Sequence, residues 1–270
     1  MSIITVSRET GSLGDETARL LAEKMSYSLL DRKEMEETID GEDFPDIPLE
    51  RFDEQTPSFW ENFTSGKDVY LDRLRTSMLE AASRGSVVIL GRGSQFILED
   101  VPGVFRVKLI ASHEVRVSRL CSKFDYDRKT AGRYCKKSDH DRNGFSRFFF
   151  GGHWTNPASY NITLSTDNLA PEIAASIISK AYMAHPSSGE TGGLILKNHL
   201  VSQKVRNRIL YKEKIPVDLL EVETDDGSVT IRGTVTVREN ALRCEKAAKG
   251  INGVKEVEAE VYFVNPVMTY

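Results

Sequence analysis

The apolar run Ile3-Ile4-Thr5-Val6 leads straight into Ser7-Arg8-Glu9-Thr10-Gly11-Ser12-Leu13-Gly14-Asp15-Glu16-Thr17, and Ala18, Leu20, Leu21 and Met25 follow at helical spacing. A buried strand, a glycine turn and a helix start, in that order, leave a chain few options. The strand must lie inside a sheet covered on both faces, and the turn must present backbone N–H groups at a helix N-terminus. That is the geometry of a phosphate-binding loop. Its side chains depart from the pattern G-x-x-x-x-G-K-[ST], because Asp15 stands in the lysine position and Glu16 in the hydroxyl position. Losing that lysine removes a charged hydrogen bond worth about 1.5–3 kcal/mol. Backbone groups at Gly11, Ser12 and Gly14 can still hold phosphate oxygens. Glu16 can meet Mg²⁺ as a carboxylate, and Arg8 is a substitute cation from the loop's other side. Phosphate binding is expected; efficient catalysis is a separate question.

Residues 1–184 alternate short apolar strands with helices. Val87–Leu90, Phe105–Ile110 and Tyr160–Leu164 read as strands. Gly66–Arg84, His113–Phe124, Arg128 towards Phe150 and Pro171–Met183 read as helices. The expected class is α/β, a parallel sheet with helices on both faces. His185–Gly193, HPSSGETGG, is a linker by composition, so residues 185–195 are expected to separate two domains. Over 196–266 the order changes to helix, hairpin, helix and strand, with the turn at Asp226-Gly227. That is a small α+β domain of αββαβ order.

The net charge of −4 argues against nucleic-acid binding driven by overall charge. No apolar run approaches the ~20 residues that span a bilayer. Cys121, Cys135 and Cys244 read as reduced thiols of a cytoplasmic protein. The five histidines lack ligand spacing, so no protein-held metal is expected. Eleven acids face one base between Glu34 and Glu61, around an expected insertion at Gly41–Thr64. Twelve bases face five acids between Arg106 and Arg147, a stretch that either meets phosphate or forms a solvated face. Phe145, Phe148 and Phe149 are expected in the core.

Four stretches together resemble one family. ITVSRETGSLGDETARLLAEKMSYSLLDRKEM (Ile4–Met35) is similar to the opening of cytidylate kinase-like proteins, and VVILGRGSQFIL (Val87–Leu98) to their acceptor-side strand and Gly-Arg turn. VKLIASHEVRVSRL (Val107–Leu120) and KKSDHDRNGFSRFFFGGHWTNPASYNITLST (Lys136–Thr166) resemble the next strand and helix, then the lid and last strand. The resemblance implies a P-loop nucleoside monophosphate kinase fold, ATP and Mg²⁺ as cofactors, and CMP or a related nucleotide as acceptor. It implies that Gly11, Ser12, Gly14, Asp15 and Glu16 meet the donor, and that Arg92 and Asp31 hold the acceptor. Arg8, Lys137, Arg142 and Arg147 would supply charge at the transferring group. The alternative is a weak or inactive nucleotide sensor. VETDDGSVTIRGTV (Val222–Val235) and GINGVKEVEAEVYF (Gly250–Phe263) resemble a BON domain, which implies contact with a small ligand, a lipid or a protein, or a role in a homo-oligomer.

Overall fold

The computed structural model describes residues 2–39, Phe44, 64–185 and 189–265. Nearly all of the expected acidic insertion at Gly41–Thr64 lies outside the described residues. Five strands, β1 (Ile3–Arg8), β2 (Ser28–Leu30), β3 (Val87–Leu90), β4 (Val104–Ile110) and β5 (Ile162–Ser165), form one parallel sheet in the order β2-β3-β1-β4-β5. The sequence dictates this through its inner strands β1, β3 and β4, which are apolar on both faces. Ile4, Val6, Val88, Leu90, Val107 and Leu109 point into one core, packed by α1 (Gly14–Met25) and α7 (Pro171–Met183). Ile3, Val87, Ile89 and Val104 point into the other. That side is filled by α2 (Arg32–Ile39), α3 (Thr64–Arg84), the short α4 (Ser94–Ile97) and α6 (Arg128–Phe150). Phe145 and Phe149 of α6 are buried there, as expected. The helix α5 (His113–Phe124) follows β4 and packs against α6.

β1 occupies the middle of the sheet. The chain goes to one side for β2 and β3 and to the other for β4 and β5, so the crevice at the strands' carboxyl ends opens over β1.

The second domain begins with α8 (Gly189–Asn207), continued by a π-helical turn over Arg208–Lys212. Residues 189–195, expected within the linker, are the first turns of this helix. Tertiary packing overrides their composition: Leu196 is buried in the first domain's core with Leu200 beside it, while Val201, Val205 and Ile209 pack into the second. Strands β6 (Asp218–Asp225), β7 (Ser228–Val235) and β8 (Glu256–Phe263) form a sheet in that order, β6 antiparallel and β8 parallel to β7, with α9 (Glu239–Lys249) crossing over. The helices cover one face only, through Leu220, Val229, Ile231, Cys244 and Ala248.

Asp72 of α3 joins the domains. Its buried carboxylate accepts from Gln203 Nε2 at 2.9 Å, Arg206 Nε at 3.1 Å and the Tyr211 hydroxyl at 2.5 Å. Burial and the Asp72 charge both push the Tyr211 phenol well up, so it stays a donor. All three cysteines are free thiols. No helix among the described residues is long and apolar enough to cross a membrane.

Candidate functional site

The loop between β1 and α1 is folded by its own backbone and by α5. Gly11 takes a positive φ of 83°, and a Cβ there would stand 3.0 Å from the Arg116 carbonyl oxygen. Glycine is thus demanded twice over. Arg116 is 4% exposed; its Nε donates to the Thr10 carbonyl at 2.7 Å and its Nη atoms grip Asp139 of α6 at 2.7 and 2.9 Å. Arg119, one turn further along α5, donates to the Gly11 carbonyl at 3.2 Å and the Thr166 carbonyl at 2.6 Å. Thr166 Oγ1 donates in turn to the Ser12 carbonyl at 2.8 Å. These partners take up the carbonyl oxygens of Thr10, Gly11 and Ser12, while the Ser12 N–H turns back to the Glu9 carbonyl at 3.2 Å.

A cavity of about 490 Å³ opens over this loop, bordered by Gly11, Gly14, Asp15 and Glu16 and walled by Phe124 and Tyr134. Its volume is within the range of small-molecule sites. Beside it, under the Gly91-Arg92-Gly93 turn, lies a second cavity of only about 20 Å³. Arg8 and Arg142 border both. The Arg8 side chain lies across the gap. A Cβ on Gly14 would stand 2.3 Å from Arg8 Cβ, and one on Gly91 would stand 2.3 Å from Arg8 Nη1. Arg8 Nε is fixed by Asp15 Oδ1 at 2.8 Å. Arg142 donates to Thr10 Oγ1 at 2.9 Å, and that hydroxyl also meets Ser138 Oγ at 2.7 Å.

The second cavity is small because aromatic side chains fill it. Gly91, Arg92 and Gly93 all have positive φ (78°, 53° and 71°), a rare state for the arginine. A Cβ on Gly93 would stand 2.3 Å from the Phe150 ring, which stacks on Phe96 at 5.1 Å. Trp154 Nε1 donates to Ser7 Oγ at 2.7 Å. Beneath the indole, Lys108 Nζ lies 3.9 Å from the ring centroid and donates to the Trp154 carbonyl at 2.6 Å. Burial lowers the Lys108 pKa to about 8, against the opposing pull of Glu9 and Asp139.

Of the residues singled out from sequence, Arg8, Gly11, Gly14, Asp15, Glu16 and Arg142 come together at the larger cavity. Ser12 is fully buried, its hydroxyl turned back to the Glu9 carbonyl at 2.8 Å, so only its backbone serves the loop. Arg92 is 7% exposed and borders the small cavity, its Nη1 3.5 Å from the Tyr70 hydroxyl. Asp31 caps α2: it accepts from the Lys33 and Glu34 amides at 2.9 and 3.2 Å, and Glu34 accepts back from its N–H. Lys137 and Arg147 are exposed on α6 and border neither cavity. Glu16 pairs with Lys123 at 2.7 Å. The sequence reading missed Thr10, Arg116, Arg119, Phe124 and Tyr134. The available signal was the Arg116/Arg119 pair, one helical turn apart on the element after β4.

A parallel sheet with a phosphate-type loop at the end of its central strand, overlaid by a basic helix, defines a P-loop kinase-like α/β protein. Residues 3–168 match the cytidylate kinase-like family, and the chain belongs to it. Residues 199–264 match the BON domain. A crystal structure of an uncharacterised protein from Eubacterium ventriosum is similar at 22% identity and a TM-score of 0.55, over 68% of this chain and all of that one. A sugar kinase from a Janibacter species (16%, TM-score 0.45, 69% of this chain and 96% of that one) and shikimate kinase from Acinetobacter baumannii (17%, 0.41, 68% and 94%) are more distant. Among curated proteins none matches the chain.

Proposed function

We propose that the larger cavity binds ATP with Mg²⁺ and that the γ-phosphoryl group passes to a nucleoside monophosphate such as CMP at the Arg92 side. The observation that carries this reading is that Arg8 and Arg142 border both cavities. A phosphoryl group moving between two sites needs cations where it crosses, since its chemistry is mostly positioning and charge neutralisation. Arg8 takes the part of the missing loop lysine. Asp15 holds its guanidinium in place while leaving Nη1 at Gly91. The residues fit a Mg²⁺ carried largely by phosphates: Asp15 and Glu16 each present a carboxylate at the cavity, and no cluster of three or more His, Cys, Asp or Glu among the described residues makes a dedicated cage. When bound, the ion would neutralise phosphate charge.

A second reading has its own observation. Phe150, Phe96 and Trp154 leave the acceptor side only about 20 Å³, too little for a nucleotide without movement. A protein that binds ATP here and signals through its BON domain, without turnover, fits that closure. Calorimetric titration with ATP·Mg²⁺ and then with CMP, dCMP, UMP and AMP, run beside an assay for ADP release, separates the two. Turnover with one monophosphate supports the kinase, and ATP binding with no turnover supports the sensor. Absence of ATP binding would overturn both.

A further inference from the structure

The second domain's own helices leave one sheet face bare, and that face is acidic by register. At its β6 edge Glu223, Asp225, Ser228 and Thr230 border a cavity of about 730 Å³ that Arg75 and Asp100 of the first domain also line. The sheet's buried apolar residues point towards α8 and α9, so the alternate positions point out; Tyr262, 66% exposed at the end of β8, stands among them. Glu221, Glu223 and Asp225 on β6 and Glu256, Glu258 and Glu260 on β8 flank Ser228, Thr230 and Arg232 of β7. Six carboxylates surround one guanidinium. Arg232 is committed to Glu223 at 2.6 Å and Glu260 at 2.7 Å. Among the described residues, Glu221, Glu256 and Glu258 make no ion pair.

The first domain carries the opposite. Lys129, Arg133, Lys136, His140 and Arg147 on α6 are all exposed. At 100° per residue they fall on a stripe about 60° wide, with no acid among them. None of the four fixed cations is ion-paired among the described residues, and none borders either cavity of the site. The stripe from Lys129 to Arg147 is about 27 Å long at about 1.5 Å per residue. An eight-residue strand of the open face is about 26 Å long at about 3.3 Å per residue. Helix on sheet is also the packing already used on the other face of this domain.

We propose that this face receives the α6 stripe of a second copy of the chain. The contact joins two different surfaces, so it is heterologous and propagates head to tail into a ring or an open chain. Exposed ion pairs are individually weak, and association is therefore modest and governed by salt. An acidic face also excludes anionic lipid headgroups and nucleic-acid phosphates as its occupants.

Sedimentation velocity of the full chain, over a concentration series, tests this directly. At about 0.01 M salt the mass-average should climb with concentration past the 30.3 kDa monomer. At about 1 M salt, where the screening length falls from about 30 Å to about 3 Å, it should return to the monomer. Two double variants, Glu221→Lys with Glu258→Lys and Arg133→Glu with Lys136→Glu, should each be monomeric alone and associate when mixed. Circular dichroism of each confirms folding before mixing. A wild type that stays monomeric at low salt overturns the proposal, as does self-association that survives either double variant. A monomeric wild type that binds a polylysine probe through the sheet assigns the face to a foreign basic partner instead, and equally overturns it.

Discussion

Arg8 Nε donates to Asp15 Oδ1 across 2.8 Å, which holds a guanidinium at the cavity beside the loop position where the phosphate-loop pattern has lysine. The acid in the lysine position sets the direction of a cation that reaches the same cavity from the strand. Arg8→Ala should therefore raise the Kd for ATP·Mg²⁺ by about 10- to 150-fold, the equivalent of a charged hydrogen bond worth about 1.5–3 kcal/mol. Asp15→Asn keeps an acceptor for Nε and should cost less. Titration calorimetry of both variants checks this, and an unchanged Kd for Arg8→Ala would remove the arginine from the site.

Gly91 makes room for that guanidinium. Its φ of 78° already disfavours a side chain, by about 1–2 kcal/mol, and a Cβ would stand 2.3 Å from Arg8 Nη1. Gly91→Ala should displace Arg8 and weaken ATP binding as much as Arg8→Ala does. Gly193→Ala, a helical site where a Cβ meets nothing within 4 Å, should instead stabilise the chain by about 0.5–1 kcal/mol. Binding titrations and thermal melts of the two variants make the comparison. Equal behaviour would mean that the close approach to Arg8 has no energetic weight.

The Asp72 cluster should make the two domains unfold together. Asp72→Ala strands Gln203, the Arg206 guanidinium and the Tyr211 hydroxyl at once, at a cost of about 3 kcal/mol. Differential scanning calorimetry should show the main transition falling by several degrees and splitting in two. A single transition at the wild-type temperature would show that other contacts of α3 and α8 carry the coupling.

Four of the five strands in the first sheet were legible, β1, β3 and β4 because their apolar runs serve two cores, and β5 through the alternation of Ile162 and Leu164 with polar residues. β2 was not: Ser28-Leu29-Leu30 is too short to show a period, and its place is set by pairing with β3. The loop was legible as a glycine turn between a strand and a helix start, but the contacts of Arg116 and Arg119 depend on α5 lying beside it, which no local pattern states. Asp31 was read as an acceptor ligand although Asp31-x-x-Glu34 is a capping-box spacing, and the structure uses it as one. The resemblance groups Lys137, Arg142 and Arg147 at the transferring group as the basic residues of one lid. They are five residues apart, about 140° per step, so they cannot share a helix face; Arg142 alone turns to the cleft.

Lys108 gives a pH signature with a definite sign. In the folded chain burial lowers its pKa from 10.5 to about 8, and unfolding restores the higher value. Below pH of about 8 both states carry the proton, and the full cost of burying the charge is felt. Between about 8 and 10.5 the folded state has shed a proton that the unfolded state keeps. Unfolding then takes up a proton, so this group's contribution to stability rises with pH across that window. The gain is at most about 3.5 kcal/mol, taking about 1.4 kcal/mol for each tenfold change in proton affinity. Lys108→Met removes the titration but keeps a flexible apolar stem beneath Trp154. Tyrosines and cysteines titrate in both proteins and largely cancel in the difference. Tm measured from pH 7 to pH 10 should therefore show the wild type gaining on Lys108→Met as the pH rises. A difference that stays flat, or that shrinks, would mean that the ammonium beneath the indole is not destabilised, and that its contact with the Trp154 carbonyl and ring offsets the loss of water.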